Sequence, residues 1–297
     1  MSTLIDHPPV VVEADPVLPR HVYVLSMVLA VVAWITAALT FFLPDILLGP
    51  AVTNGNARGT ALVVMALAVP MLLIAVALAS RGSTRAIFAL LGSVFYLGYN
   101  AFLFLFLTPF NRLFLLNVAL LSLSVFTALA LTLGCDRERL LDPRKRFPHR
   151  QLAILVWVIV ALNAAAWLAE IVPAIIGPDP LVMVEGTGVA TNAIYIQDLA
   201  VWLPLMGLAA WGLWNQRSMG VLLTGSWLFF GVIEAIGIAV DQWFGHQADP
   251  TSPLASVTTA VAVMGVLLLV NLFGVFYYLR AGQRLLTATT VNRRRTT

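Results

Sequence analysis

Four carboxylic acids sit within or at the ends of strongly apolar stretches: Glu170, Asp198, Glu234 and Asp241. Charge at such positions is costly in a bilayer, so each needs a partner, a proton or a function. Glu234 is the clearest case, because no basic residue lies on its own apolar stretch. Trp227, Gly231, Glu234, Ile238 and Asp241 recur at helical spacing and share one face. Trp167 and Glu170 form a similar face, as do Asp198 and Trp202. Tyr99, Asn100 and Asn117 add neutral polar groups, and Arg112 is the nearest base. If these faces converge, they build an acidic–aromatic cavity suited to a small cation or a proton, through carboxylate pairing and cation–π contact. A plainer reading competes. Trp is enriched at membrane interfaces, acids near span ends reach headgroups and water, and intramembrane Asn and Tyr often make only interhelical hydrogen bonds.

Other chemistries are excluded by what the chain lacks. Its four histidines, His7, His21, His149 and His246, fall in expected tails and connections, so no haem is held inside a bundle. No lysine lies in an apolar stretch, which removes a retinal Schiff base. Phosphate-binding loops, zinc-protease and serine-hydrolase motifs are absent, and a single cysteine, Cys135, permits neither a disulfide within the chain nor a thiolate cluster. No catalytic residue, metal site or cofactor is expected, and an enzyme is not the favoured reading.

The elements that position these residues are spanning helices. The chain is 60% hydrophobic and only 10% charged, with a mean hydropathy of +0.93; lipid is the solvent that accommodates such a composition. Apolar runs predict eight transmembrane helices at 22–43, 59–80, 85–107, 112–134, 151–172, 195–215, 219–241 and 254–279. The fold class is therefore all-α, a polytopic transmembrane helix bundle. All of the seventeen basic residues except Arg58 and Arg112 fall on one side if eight spans alternate. That side is then cytoplasmic, with both termini inside. The expected organisation is a disordered tail at 1–21, one transmembrane domain at 22–280 and a basic tail at 281–297. The basic residues flank spans and form no nucleic-acid patch. The charged 135–150 loop reads as a topogenic anchor attracted to anionic lipid, or as a docking site for a cytoplasmic protein. Pro204 predicts a local break in the sixth span. Asn111 and Asn117 open the fourth span with the spacing at which Asn192 and Asp198 open the sixth, a faint hint of a repeat.

Two stretches carry a resemblance. Tyr99-Asn100-Ala101-Phe102 followed by Asn111-Arg112-Leu113-Phe114, and Asn192-Ala193-Ile194-Tyr195-Ile196-Gln197-Asp198-Leu199-Ala200 leading to Leu203-Pro204, resemble an uncharacterised group of eight-span integral membrane proteins of GC-rich bacteria. The resemblance covers about a quarter of the chain. It implies a bacterial integral membrane protein and lends no functional residue. Two functions follow as expectations: a transporter or permease-like protein with an externally facing acidic–aromatic cavity, or a non-catalytic sensor or assembly partner acting through the 135–150 loop.

Overall fold

The structure is a computed structural model that describes residues 17–43, 46–135 and 148–293, with side chains left aside at 259, 260 and 281–293. Among the described residues there is helix and no strand. Eight helices are long and apolar enough to cross a membrane. We number them α1 (Arg20–Phe42), α2 (Ala51–Ser80), α3 (Ala86–Phe106), α4 (Phe114–Gly134), α5 (His149–Ile176), α6 (Ala193–Trp214), α7 (Ser218–Ala248) and α8 (Val257–Arg293). Most of the 135–150 loop lies outside the described residues.

The helices are apolar on nearly every side, and many of their hydroxyls are satisfied within the helix. Ser26, Thr36, Thr40, Ser93, Ser124 and Ser226 each donate to the carbonyl four residues back, at 2.8–2.9 Å. This is how polar side chains persist where no water is available to bond them. Large apolar side chains such as Leu115, Leu162 and Leu269 point outward, as lipid-facing surfaces do. The centre belongs to α3 and α7: 78% and 61% of their most apolar windows are buried, against 17% in α5 and α8.

Three helices run well past the sequence-based bounds: α8 continues to Arg293 rather than 279, and α2 and α7 extend as well. α2 begins at Ala51 rather than 59, and α7 continues to Ala248 rather than 241. Polar residues lower the hydropathy of both extensions, but the two pack on each other through small residues. A Cβ on Gly55 would stand 2.6 Å from the Phe244 carbonyl, and one on Gly59 would stand 2.5 Å from the Asp241 Cα. The Gly55-x-x-x-Gly59 spacing places both glycines on one face and brings the backbones into contact.

The backbone repeats itself. A five-residue π-helical segment at Val64–Ala68 in α2 recurs at Asp198–Trp202 in α6, 134 residues later. Each is followed by an X-Pro pair, Val69-Pro70 and Leu203-Pro204, at the same separation. The helices end at Ser80 and Trp214, again 134 apart, and the next turns have positive φ at Gly82 (88°) and Gln216 (56°). Even the turn hydrogen bonds correspond: Ser83 N donates to Leu78 O at 3.0 Å, and Arg217 N donates to Gly212 O at 2.8 Å. α1 and α5 also end 134 residues apart, at Phe42 and Ile176. Among the described residues the correspondence covers α2 and α6, the turn after each and the ends of α1 and α5, and it divides the eight helices into two sets of four; α3 and α7, the third of each set, pack together at the centre. The repeat does not relate the fourth and sixth spans, as the asparagine spacing hinted. Asn111 caps a turn by accepting from Leu113 N at 2.9 Å, whereas Asn192 caps α6 by accepting from Ile194 N at 3.1 Å.

Candidate functional site

The site is centred on Asp198, at the point where α6 becomes π-helical. Proline lacks an N–H and crowds the preceding turn, and the wider π segment ahead of Pro204 absorbs that misfit. It turns Gln197 and Asp198 inward, leaving them 3% and 7% exposed. In the first half the equivalent positions are Val63 and Val64, 4% and 2% exposed. The same backbone is built there without polar residues, so this geometry does not itself require an acid at 198.

α5 and α6 hold each other by a reciprocal clasp. α5 carries an aromatic residue and an acid three positions apart, Trp167 and Glu170. α6 carries the same pattern in Tyr195 and Asp198. Because the helices run antiparallel, each aromatic residue meets the other helix's acid. Trp167 Nε1 donates to Asp198 Oδ2 at 2.9 Å, and the Tyr195 hydroxyl donates to Glu170 Oε2. The two rings meet edge to face at 4.9 Å. Glu170 is exposed, at the rim of the bundle.

On its inner side Asp198 faces α3, where the Tyr99 hydroxyl lies beside Gln197 and Asp198. Trp202 Nε1 donates to Gln197 Oε1 at 3.3 Å. Trp202, Trp227, Phe230, Phe95 and Tyr99 then form one aromatic cluster across α3, α6 and α7, with ring centroids 4.8–5.9 Å apart. The tryptophans therefore pack on one another more than they line an open space. Below this cluster, the Tyr96 hydroxyl inserts against Gly237, where a Cβ would stand 2.7 Å away. Gly237 lies between Glu234 and Asp241 on α7, so the phenol sits between the two acids.

The result is an alternation of acids and phenols: Asp198, Tyr99, Glu234, Tyr96, Asp241. Glu234 is within electrostatic range of both Asp198 and Asp241, and among the described residues no base is one of its charged neighbours. Several buried polar atoms have no hydrogen-bond partner: Gln197 Nε2, Trp227 Nε1, Tyr96 Oη and Asp241 Oδ1.

Arg112 is exposed and makes no ion pair with these acids. Arg58 turns the other way, donating from Nε to the Phe41 carbonyl at 3.2 Å with its guanidinium over the Phe41 ring. Asn100 returns its amide to the Tyr96 carbonyl at 3.0 Å, and Asn117 is buried on α4 with Oδ1 unpartnered. Glu234 lies fourteen residues before the end of α7, about 21 Å at 1.5 Å per residue, rather than the seven residues expected. Gln197 and Tyr195 were not among the sequence-based candidates. The matched three-residue spacing on α5 and α6 was the signal that could have found Tyr195. Among the described residues no group of three His, Cys, Asp or Glu side chains is arranged to hold a metal ion.

The eight apolar helices define the class, a multi-pass helical membrane protein. No known protein family, curated protein or solved structure matches the chain.

Proposed function

We propose that the protein is a secondary transporter or permease-like protein of a bacterial cytoplasmic membrane, with both termini inside, and that Asp198, Glu234 and Asp241 form its proton- or cation-coupling site. The observation that carries this reading is the convergence of three intramembrane acids, interleaved with two tyrosines, without a base among them. Glu234 and Asp241 are two helical turns apart, about 10 Å along the axis. At an effective dielectric of about 20, full ionisation of both would cost roughly 1.7 kcal/mol in mutual repulsion alone. A proton on either acid relieves it. The repeat supports the same reading. Many transporters are built from two related halves, and their coupling sites lie at interrupted helices near the repeat interface. The bacterial origin rests on the resemblance at 99–114 and 192–204, and the orientation rests on the placement of the basic residues.

The test compares Asp198→Asn and Glu234→Gln with the parent protein in detergent. The midpoint of thermal unfolding is followed between pH 5 and 8. In proteoliposomes, proton entry driven by a membrane potential is followed with an internal pH dye. The parent is expected to show a pH-dependent midpoint and a potential-driven proton flux, and both variants are expected to lose them while folding normally. Folded variants indistinguishable from the parent in both measurements would refute the proposal.

A further inference from the structure

Beside the clasp, an open groove of about 590 Å³ runs between the end of α5, the 180–191 segment and the start of α6. Its volume falls within the range of roughly 300–1,000 Å³ typical of small-molecule sites. Asp179 caps a short 3₁₀ turn, Pro180–Met183, by accepting from Leu181 N at 2.9 Å, and this turn forms one wall. Ile171, Leu181, Met183, Val184, Ile196 and Leu199 supply most of the lining. Leu181 and the adjacent Val182 are 69% and 57% exposed, and outward-facing apolar side chains dominate the neighbouring spans. The outer edge of the groove at Leu181 and Val182 is thus apolar, as an entrance from lipid requires.

Its polar side chains are few: Thr191, exposed at the edge, and Asn192 and Tyr195, which are already engaged. Asn192 Oδ1 accepts from the Ile194 and Tyr195 amides, and the Tyr195 hydroxyl donates to Glu170. A sugar, a peptide or another ligand rich in hydrogen-bonding groups would find little to bond. None of the lining residues is basic, and the carboxylate at the rim, Glu170, would repel an anion. What remains is a ligand with an apolar body and a positive charge. The exposed Glu170 supplies the counter-charge, and the Trp167 and Tyr195 rings beside it supply cation–π faces.

We infer that this groove binds a hydrophobic organic cation that reaches it from the bilayer, its apolar body in the groove and its charge at the Glu170–Tyr195–Trp167 corner. The inference rests on the transporter reading, for which it names the substrate class.

Tetraphenylphosphonium and tetraphenylborate have the same shape and opposite charge, which makes them a matched pair of probes. Binding of each to the full-length protein in an uncharged detergent is measured by equilibrium dialysis. The variants are Leu199→Trp, which fills the groove, and Glu170→Gln, which removes the charge. The cation is expected to bind saturably, with at least tenfold weaker binding in Leu199→Trp and several-fold weaker binding in Glu170→Gln. The anion is expected not to bind. Equal binding of both probes, binding unchanged in Leu199→Trp, or a tightly held phospholipid seen by native mass spectrometry that the cation does not displace would each overturn the inference. Saturable cation binding in a protein that fails the proton-flux test would uphold the groove and refute transport. Loss of the groove would leave the Asp198 and Glu234 result standing on its own.

Discussion

Replacing Asp198 by valine puts the first-half residue, Val64, into the second-half position and tests whether the two are equivalent. The loss can be worked through. The variant forfeits the hydrogen bond from Trp167 Nε1 at 2.9 Å. Interhelical bonds in membranes average about 0.6 kcal/mol and reach about 1.7. A stranded indole N–H adds a penalty of about 1–3 kcal/mol when fully buried, and Trp167 is only partly buried. Against this, aspartate costs about 2.5–3.5 kcal/mol to insert at a helix centre, and valine slightly favours insertion. Asp198 is five residues from the start of α6, so part of that difference returns to the variant. The opposing terms leave a net change of no more than about 2 kcal/mol, a shift of about 6 °C or less in unfolding midpoint. The reciprocal variant, Val64→Asp, places an acid in the hydrophobic core at a position 2% exposed, a cost of about 3 kcal/mol or more. Thermal unfolding in detergent, followed by fluorescence-detected size exclusion, reads both. Asp198→Val should stay monodisperse and lose the pH dependence of its midpoint, whereas Val64→Asp should be markedly destabilised or fail to fold. Collapse of Asp198→Val with tolerance of Val64→Asp would refute the equivalence.

Three further outcomes follow from the structure. Gly59→Ala drives a methyl into the α7 backbone at Asp241, where no side chain can yield, and should lower stability by about 1–3 kcal/mol in the same unfolding assay. Gln216→Gly relieves a left-handed backbone at the position where the first half has Gly82, and should raise stability by about 0.5 kcal/mol despite the freer unfolded chain. In the α7–α8 connection, hydrogen bonds from the Thr251 hydroxyl and amide hold the Asp249 carboxyl below the usual carboxylate range. A depressed carboxyl stabilises the fold above its ordinary value and loses that contribution as pH falls through the depressed one. Thr251→Ala should therefore lower the unfolding midpoint more at pH 7 than at pH 3, and a constant difference would count against this role.

The eight spans were legible because hydrocarbon thickness sets a minimum length of apolar helix that no soluble element needs. The ends of α2 and α7 were not. Asn54, Asn56, Asp241 and Gln242 read as the close of an apolar run, and only the glycine contact between the two helices explains why the helix continues. In the site, Trp167, Glu170 and Asp198 were legible as aromatic–acid spacings. Arg112 was not separable from them, because its distance from the acids depends on how α4 packs against the rest. The repeat was nearly invisible in sequence. Between Val63 and Ser83 only Ala66, Pro70 and Ala75 coincide with their counterparts Ala200, Pro204 and Ala209, and elsewhere even the character changes, as from Val63 and Val64 to Gln197 and Asp198. The two prolines marked where each helix would break; the shape of each break appears only in the backbone.

Among the described residues no base stands beside Asp198, Glu234 and Asp241, and this has an electrical consequence. A carboxylate shadowed by an arginine can gain or lose its neighbour without moving net charge far. These three have no such shadow, and Glu234 lies near the middle of its helix. In the proposed coupling cycle, each step that charges or discharges the site displaces charge through part of the membrane field. One elementary charge moved across the whole field is worth about 2.3 kcal/mol per 100 mV, so even half of that distance at such a potential shifts the occupancy of the site about sevenfold. Membrane voltage would then act on this protein as a reactant.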